Sequence, residues 1–342
     1  MRSVRPLTQK FRRVIPRLDP PKDAQFIVLP KNSNIVLWLY VSHENESVPT
    51  YSFVTLDVFT DRRFGGNQLA VFPDAQGMSD SEMQALATEF NLSETTFVLP
   101  PEDPAHTAQV RIFNRSAEMP FAGHPNVGTG YVLAQMGRDQ GGVLVFEELA
   151  GLVEVTVERS QSGGLIGATI AAPQPLSLGV EFTAEQVAAC ASLSAQDVIL
   201  TSHRPVQASV GVDFVFAEVT AESLVRAAPD AGSFRTVADS VEGFDMRLSL
   251  HLYAHVGDEI RARMFSPLTG TFEDAATGSA NATLGALLLS LTGRSEAHYR
   301  IHQGAEMGRP SLLRVSAYRS GAEIRSTVGG GCAPMFRGQV EL

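Results

Sequence analysis

The chain alternates between stretches with the period of a strand and stretches with the period of a helix. Tyr51–Phe59 alternates apolar and polar residues, as a half-buried strand does. Ser79-Asp80-Ser81-Glu82 has the form of a capping box and predicts a helix that runs to about Asn91. Thr183-Ala184-Glu185-Gln186 predicts a second capped helix in the same way. Because strands and helices are mixed without strict βαβ alternation, the pattern disfavours a doubly wound parallel sheet.

Two stretches share one arrangement, a strand followed by a turn and a helix rich in small residues. In Arg111–Ala134 and Arg263–Leu288, an Arg-x-Phe start and an acidic residue precede a run of Gly, Ala, Thr and Ser. Ala122–Ala134 aligns with Ala276–Leu288 without a gap, and the Arg-x-Phe parts need a two-residue shift. Copies about 150 residues apart favour two similar halves over a solenoid, whose repeat is roughly 20–50 residues.

Composition narrows the class of protein. The chain has 342 residues, 44% of them hydrophobic, which is enough for a large core and favours two domains. A net charge of −10 argues against a protein that binds nucleic acid or a membrane surface. Two cysteines are too few for a disulfide framework, so we expect a cytoplasmic protein. No run of 18 or more apolar residues predicts a transmembrane helix.

The N-terminal segment differs from the rest of the chain in charge. Met1–Leu18 carries six basic residues and no acidic one. Arg-rich, acid-free leaders occur in organelle-targeting peptides, and they also arise from translation of an upstream segment. We expect residues 1–49 to be a disordered or artefactual extension rather than a targeting signal.

Several motifs occur in the order found in one known family. They are FVTLDVFTDRRFGGNQLAVF at Phe53–Phe72, NLSETTF at Asn91–Phe97, FAGHP at Phe121–Pro125, RMFSP at Arg263–Pro267, EDAATGSA at Glu273–Ala280 and GAEMGRPS at Gly304–Ser311. Through these blocks the chain from about residue 50 to its C-terminus resembles the PhzF (phenazine biosynthesis-like) family of isomerases. That family has the diaminopimelate epimerase-like fold.

The resemblance implies an α+β fold with two similar domains. Each would be a curved, mostly antiparallel sheet wrapped around a central helix, with the active site in the interdomain cleft. We expect the domains to span residues 50–173 and 174–342, with the last strand able to cross back to the first domain. The central helices would begin near His124 and Gly278 and point their N-termini into the cleft. We also expect a homodimer.

The resemblance assigns catalytic roles to Glu94, His124, Asp274 and Ser279. The sequence alone fits an exposed Glu94, His124 as a helix cap, and Asp274 and Ser279 as ordinary residues at a helix start. In the family, the glutamate of NLSETTF is the general base that removes a proton from carbon. The other three would hydrogen-bond the substrate or relay protons. Partial burial would raise the pKa of Glu94 toward the working pH, as that role requires.

The helix starts are also expected to bind the substrate. Free backbone N–H groups at a helix start bind anions, so we expect Gly123, Thr277 and Gly278 to bind a small carboxylate-bearing molecule. The Gly123–Gly130 turn lacks the patterns of a nucleotide-binding loop. The pair His251 and His255 lacks the glutamate of H-E-x-x-H and lies in a strand pattern. We therefore expect no cofactor and no metal.

These expectations lead to one principal hypothesis and two alternatives. Cysteine-based racemases of this fold use one thiol at each helix start, and by resemblance those positions are Ala122 and Ala276, which disfavours a two-thiol mechanism. The principal hypothesis is a cofactor-independent isomerase that moves a proton between carbons, with trans-2,3-dihydro-3-hydroxyanthranilate as the family's prototype substrate. One alternative is a carboxylate-based amino-acid epimerase or racemase. The other is a catalytically inactive small-ligand-binding protein, although the acid/base set is intact.

Overall fold

The computed structural model describes residues 48–241 and 248–342. The prediction made for the N-terminal extension therefore falls almost entirely outside the described residues. Thr50–Val340 and Leu342 belong to one compact unit. In this described part, no helix is long and apolar enough to cross a membrane.

Strands dominate the secondary structure of the described residues. The strands are β1 Thr50–Val58, β2 Asn67–Phe72, β3 Glu94–Leu99, β4 Ala108–Asn114, β5 Glu118–Met119, β6 Val143–Glu148, β7 Gly151–Arg159, β8 Leu165–Ala171, β9 Ser177–Glu181, β10 Val198–Ile199, β11 Val206–Ser209, β12 Asp213–Val219, β13 Leu250–Val256, β14 Glu259–Ser266, β15 Thr271–Asp274, β16 Glu296–Gln303, β17 Ser311–Ser320 and β18 Glu323–Glu341. The α-helices are α1 Asp80–Phe90, α2 Gly123–Gln135, α3 Ala184–Cys190, α4 Ala221–Arg226, α5 Ala231–Ser240 and α6 Gly278–Ser290. Short 3₁₀ helices span Ala195–Asp197 and Pro267–Thr269.

The two predicted capping boxes are confirmed. The Ser79 side chain accepts a hydrogen bond from the backbone of Glu82, whose carboxylate in turn accepts from the Ser79 backbone, so α1 begins at the next residue. Thr183 and Gln186 form the same reciprocal pair at the start of α3. Each box satisfies N–H groups that a helix start leaves without a partner.

The strands form one hydrogen-bonded sheet, and most neighbouring strands are antiparallel. The parallel neighbours are β2–β3, β4–β6, β12–β13 and β14–β16. In both halves of the chain, an antiparallel pair, β3–β4 or β13–β14, lies between two parallel pairs. The internal similarity predicted from the two Arg-x-Phe stretches is therefore present in the sheet. The division of the chain into two domains stays a prediction.

The repeated arginines are part of the scaffold. Arg111 makes a bidentate ion pair with Glu118, with both N···O distances 2.7 Å. Arg263 makes the equivalent pair with Glu273, at 2.8 Å for both contacts. Each guanidinium also lies over the ring of the phenylalanine two residues further on. The Arg-x-Phe start and the acidic residue thus form one clamp in each half, which gives both acidic residues a structural role.

Two central helices, α2 and α6, carry no Asp, Glu, Lys or Arg, and nearly every residue in them is buried. Helices that are apolar on all sides lie inside a protein. Helix α2 packs against β2, β7 and β8, whereas α6 packs against β16 and β17. Both begin where the sequence predicts, within one residue of His124 and at Gly278.

The correspondence between the two helices differs by one residue from the predicted alignment. The residue before the first helical turn is Ala122 in α2 and Thr277 in α6, so Thr277, rather than Ala276, is the counterpart of Ala122. In this register Asn126 corresponds to Asn281, and each donates a side-chain hydrogen bond to the carbonyl four residues earlier. The small residues around Ala276 allow either alignment by sequence. A cysteine is absent from both helix starts in either register.

Matching glycines bring the two helices close to their sheets. A Cβ atom on Gly130 would lie 2.5 Å from Cγ1 of Val155, and one on Gly285 would lie 2.4 Å from Cγ1 of Val315. Both valines are buried strand residues, and a β-branched side chain is stiff about χ1. Glycine at these positions is therefore required by close packing.

Gly130→Ala and Gly285→Ala should each lower the free energy of unfolding. We expect overpacking to cost about 1–3 kcal/mol, which exceeds the gain of about 1 kcal/mol from replacing glycine within a helix. Urea or thermal unfolding measures the change. Gly293→Ala is the control, because an added Cβ there has no atom within 4 Å. Combining Gly285→Ala with Val315→Ala should restore part of the loss, and equal stability of Gly130→Ala, Gly285→Ala and Gly293→Ala would contradict the packing argument.

The last strand uses glycine in the same manner. Gly329-Gly330-Gly331 lies within β18, which pairs with β17, β8 and β1. A Cβ atom on Gly330 would lie 2.5 Å from Cδ1 of Phe59, and one on Gly331 would lie 2.7 Å from the carbonyl oxygen of Thr60. The triple glycine therefore serves close packing.

Candidate active site

The N-termini of the two central helices meet. A Cβ atom on Gly123 would lie 3.2 Å from Cα of Gly278 and equally close to the backbone nitrogen of Ser279. Neither α2 nor α6 has a side-chain hydrogen bond at its cap. By contrast, α1, α3, α4 and α5 are capped by the side chains of Ser79, Thr183, Thr220 and Asp230. Two uncapped helix starts side by side produce a region of positive potential that favours an anion.

Glu94 lies beside this junction because it begins β3. The strand registers place it opposite Leu69 of β2 and Asn114 of β4. Its Oε2 atom lies 3.3 Å from Nε2 of His124, and only 18% of its side chain is exposed. Burial raises the pKa of Glu94 to about 8, the negative charge of Asp274 adds to the rise, and Arg115 opposes it. At pH 7 Glu94 therefore carries a proton in most molecules.

His124 is the second residue of α2 and is enclosed by the core. Its Nδ1 atom lies 3.5 Å from Nδ2 of Asn67, whereas Nε2 faces Glu94. Burial lowers the pKa of His124 to about 3, against a smaller opposing effect of a hydrogen bond with the Gln68 backbone. The imidazole is neutral at pH 7, so one ring nitrogen carries a hydrogen and the other can accept a hydrogen bond.

Asp274 closes the site from the other half of the chain. It is the last residue of β15 and is buried, with 9% relative exposure. Its two carboxylate oxygens accept hydrogen bonds from Asn67 Nδ2 at 2.8 Å and from Thr277 Oγ1 at 2.7 Å. Burial raises the pKa of Asp274 to about 6, and these hydrogen bonds oppose the rise. Asp274 is therefore mainly ionised at pH 7.

Asn67 connects the two halves of the site and was not among the predicted site residues. Its Nδ2 group donates to Asp274 and also to the carbonyl of Ala276, at 3.0 Å, while lying next to His124. The side chain is held in place because Asn67 begins β2 directly after the Gly65-Gly66 turn. Its one sequence signal was its place in the FGGNQLAVF motif.

Gln303 is a second residue that the sequence analysis missed. It lies at the end of β16, and its Nε2 group donates to the backbone carbonyl of Asp274 at 2.8 Å and to Thr277 Oγ1 at 3.1 Å. Its Oε1 atom accepts from the backbone of Thr277 and from the Asn281 side chain. Gln303 thereby fixes the start of α6. Its one signal is its place directly before the GAEMGRPS motif.

The predicted site residues come together to different extents. Glu94, His124 and Asp274 converge through Asn67, although they lie on three elements from both halves of the chain. Ser279 lies at the helix junction, where it and Gly123 line a small apolar pocket. Gly278 packs against Gly123 at the same junction. Both polar hydrogens of Thr277 are engaged inside the protein, and its role in substrate binding stays a prediction.

The arrangement is suited to moving protons. Two carboxyl groups share one site, and their environments separate the pKa values to about 8 for Glu94 and about 6 for Asp274. Near neutral pH one group carries a proton while the other is charged, as in enzymes that assign acid and base roles to paired carboxyls. Among residues 48–241 and 248–342, no group of three or more His, Cys, Asp or Glu residues could hold a metal ion.

Comparison with known proteins identifies the class. The chain is 36% identical over 295 residues to an uncharacterized isomerase of Mesorhizobium japonicum, a match that covers 83% of this chain and 96% of that protein. It is 34% identical over 300 residues to the trans-2,3-dihydro-3-hydroxyanthranilate isomerase of Pseudomonas aeruginosa, covering 85% of this chain and all of that one. The fold and these relatives show that the chain is an isomerase.

The family follows from the sequence profile. The profile of the phenazine biosynthesis-like proteins, PhzF among them, matches residues 56–338, and the chain belongs to this family. The crystal structure of a PhzF-family protein from Bacillus anthracis has the same fold, with a TM-score of 0.77 at 23% identity, over 86% of this chain and 100% of that chain.

The raised pKa of Glu94 predicts a specific dependence of stability on pH. Between its ordinary value of 4.5 and about 8, the folded protein retains a proton on Glu94 that the unfolded chain releases. This group therefore destabilises the folded state progressively as the pH rises through that range. Glu94→Gln should remove the effect and become more stable relative to wild type between pH 5 and pH 8, by a few kcal/mol at about 1.4 kcal/mol per pKa unit.

Denaturant unfolding of both proteins at several pH values measures this difference. Glu89→Gln is the matched control, because Glu89 is an exposed carboxyl on α1 in the same part of the chain. If the stability difference between Glu94→Gln and wild type stays constant from pH 5 to pH 8, the pKa of Glu94 is not raised in the folded protein.

Proposed function

We propose that this chain is a cofactor-independent isomerase that moves a proton between two carbons of a small carboxylate-bearing substrate. The substrate would resemble trans-2,3-dihydro-3-hydroxyanthranilate, on which a relative with 34% identity acts by name. The observation that carries the proposal is the 3.3 Å contact between Glu94 and His124 beside two uncapped helix starts. This arrangement puts a group that can transfer protons next to a binding site for an anion.

Glu94 would act as the base and then as the acid. Its ionised form is a strong base for a carboxylate because its pKa is about 8. The carboxylate takes a proton from one carbon of the substrate, and the electron pair of the broken C–H bond enters the conjugated system. The same carboxyl group then returns the proton to another carbon, so the product is an isomer of the substrate.

The helix starts would stabilise the charge that develops in between. The electron pair delocalises toward a carbonyl or carboxylate oxygen of the substrate, and N–H groups directed at that oxygen lower the barrier. The backbone at Gly123 and Gly278 lies at the junction where that oxygen would bind, and Ser279 lies there too. His124 and Asp274 would hydrogen-bond polar groups of the substrate, with Asn67 and Thr277 holding Asp274 in place.

The domain division belongs to the same proposal. We infer two domains, 50–173 and 174–342, with the site in a cleft between them. The repeated order of parallel and antiparallel strand pairs supports this division. The contributions of Glu94 from one half and Asp274 from the other support the location of the site.

Glu94→Gln should abolish most of the turnover and leave substrate binding intact. We expect turnover of trans-2,3-dihydro-3-hydroxyanthranilate to fall by about 10²–10⁴-fold, the usual contribution of general acid–base catalysis. The substitution keeps the size of the side chain, so KM should change little. Absorbance of the conjugated substrate follows turnover, and a reaction in ²H₂O shows which carbon acquires deuterium. Glu89→Gln is again the control and should retain full activity.

The same measurements separate the proposal from its two alternatives. Deuterium at one stereocentre of an amino acid, with inversion and no migration of a double bond, would indicate an epimerase. Binding of carboxylates without any exchange in wild type would indicate an inactive binding protein. Near-normal turnover by Glu94→Gln would remove Glu94 from the mechanism.

A further inference from the structure

Arg115 occupies a position that joins the two strands carrying the acids of the site. It directly follows Asn114, which is the partner of Glu94 in the pairing of β3 with β4. Its Nη2 group donates a hydrogen bond to Thr271 Oγ1 at 3.3 Å. Thr271 begins β15, the strand that ends at Asp274. Arg115 therefore reaches from the strand next to Glu94 to the strand that bears Asp274.

The charge of Arg115 acts on both acids. It lowers the pKa of Glu94 and that of Asp274, against the larger opposite effect of burial. Its hydrogen bond to Thr271 places the guanidinium at the start of β15, the strand that bears Asp274. Arg115 is a cation whose charge acts on both acids of the candidate active site. The proposed mechanism assigns no role to it.

Arg115 lacks the ion-pair partner that comparable arginines have. Within residues 48–241 and 248–342, no carboxylate lies within 4.0 Å of its guanidinium. By contrast, Arg111 and Arg263, which belong to the scaffold, each make a bidentate pair with a glutamate. Its bond to Thr271 uses one donor of the five that a guanidinium presents.

We propose that Arg115 binds a second carboxylate of the substrate, so that the isomerase acts on a dicarboxylate. This inference rests on the proposed function, in which the helix starts bind the first carboxylate. A guanidinium matches the geometry of a carboxylate through two parallel hydrogen bonds. The two acids nearby disfavour a phosphate, which carries more negative charge. Since Arg115 lies on the β4–β5 connection and donates to β15, whereas the helix starts belong to α2 and α6, the two anionic groups of the substrate would bind to different elements of the site.

Binding measurements with matched aromatic acids test this assignment. The probes are anthranilate, with one carboxylate, and 3-aminophthalate, 2-aminoisophthalate and 2-aminoterephthalate, which add a second carboxylate at different ring positions. Isothermal titration at pH 7 gives Kd for wild type, Arg115→Met, Arg115→Lys and Arg235→Met. Arg235 is exposed on α5 and controls for the loss of one positive charge.

We expect at least one dicarboxylate to bind wild type about tenfold or more tightly than anthranilate, as one charge-assisted pair provides. Arg115→Met should abolish this preference without changing the Kd of anthranilate, Arg115→Lys should keep part of it, and Arg235→Met should keep all of it. Equal binding of all four probes to wild type would overturn the assignment. The assignment would also be overturned if Arg115→Met weakened the binding of anthranilate and of the dicarboxylates by the same factor. That result would indicate a general electrostatic or structural role for Arg115. Binding of none of the probes to wild type would instead refute the carboxylate site itself, and the proposed function with it.

Discussion

The site depends on one constraint, the close approach of two helix N-termini. At Gly123 and Gly278 the backbones themselves are in contact, because an added Cβ atom on the first would lie 3.2 Å from Cα of the second. Each helix start carries roughly half a positive charge. Placed together inside a protein, two such ends repel each other unless negative charge lies nearby. Asp274, mainly ionised at neutral pH, supplies part of that charge, and a bound carboxylate would supply more.

The surroundings of this junction explain why the two carboxyl groups of the site, Glu94 and Asp274, differ in pKa. Burial raises the pKa of both, but Asp274 accepts hydrogen bonds from Asn67 and Thr277, which hold its pKa near 6. Glu94 has the neutral ring of His124 as its close neighbour, and the charge of Asp274 raises its pKa further, to about 8. Part of the difference arises from the hydrogen bonds that Asn67 and Thr277 donate to Asp274, so residues outside the acid/base set help to decide which acid carries the proton.

Local signals in the sequence predicted local structure well. The capping boxes at Ser79 and Thr183 set two helix starts to the residue, because a cap is decided by side chains three positions apart. The resemblance to PhzF proteins supplied the family, and the shared Arg-x-Phe starts indicated the repeat in the sheet. The alignment of the two helices was wrong by one residue at Ala276, since alternating small residues fit either register.

Residues that act across the fold could not be found in this way. Asn67 meets Asp274 across 207 positions of sequence, and no local pattern marks such a pair. Gln303 and Arg115 are likewise defined by what lies opposite them in space. Their roles depend on strand pairing, which the sequence specifies through hydrophobic alternation and not through the polar residues themselves.

The packing of β18 has a consequence for folding of the chain during its translation. Phe59, near the start of the described chain, packs against Gly330 of β18 on one side and against Gly278 on the other. The ring that supports the start of α6 is thus held by a strand translated more than 250 residues later. Pairings of such long sequence separation form slowly and late. A nascent chain can therefore contain every acid and base of the site and still lack a functional active site until β18 has left the ribosome.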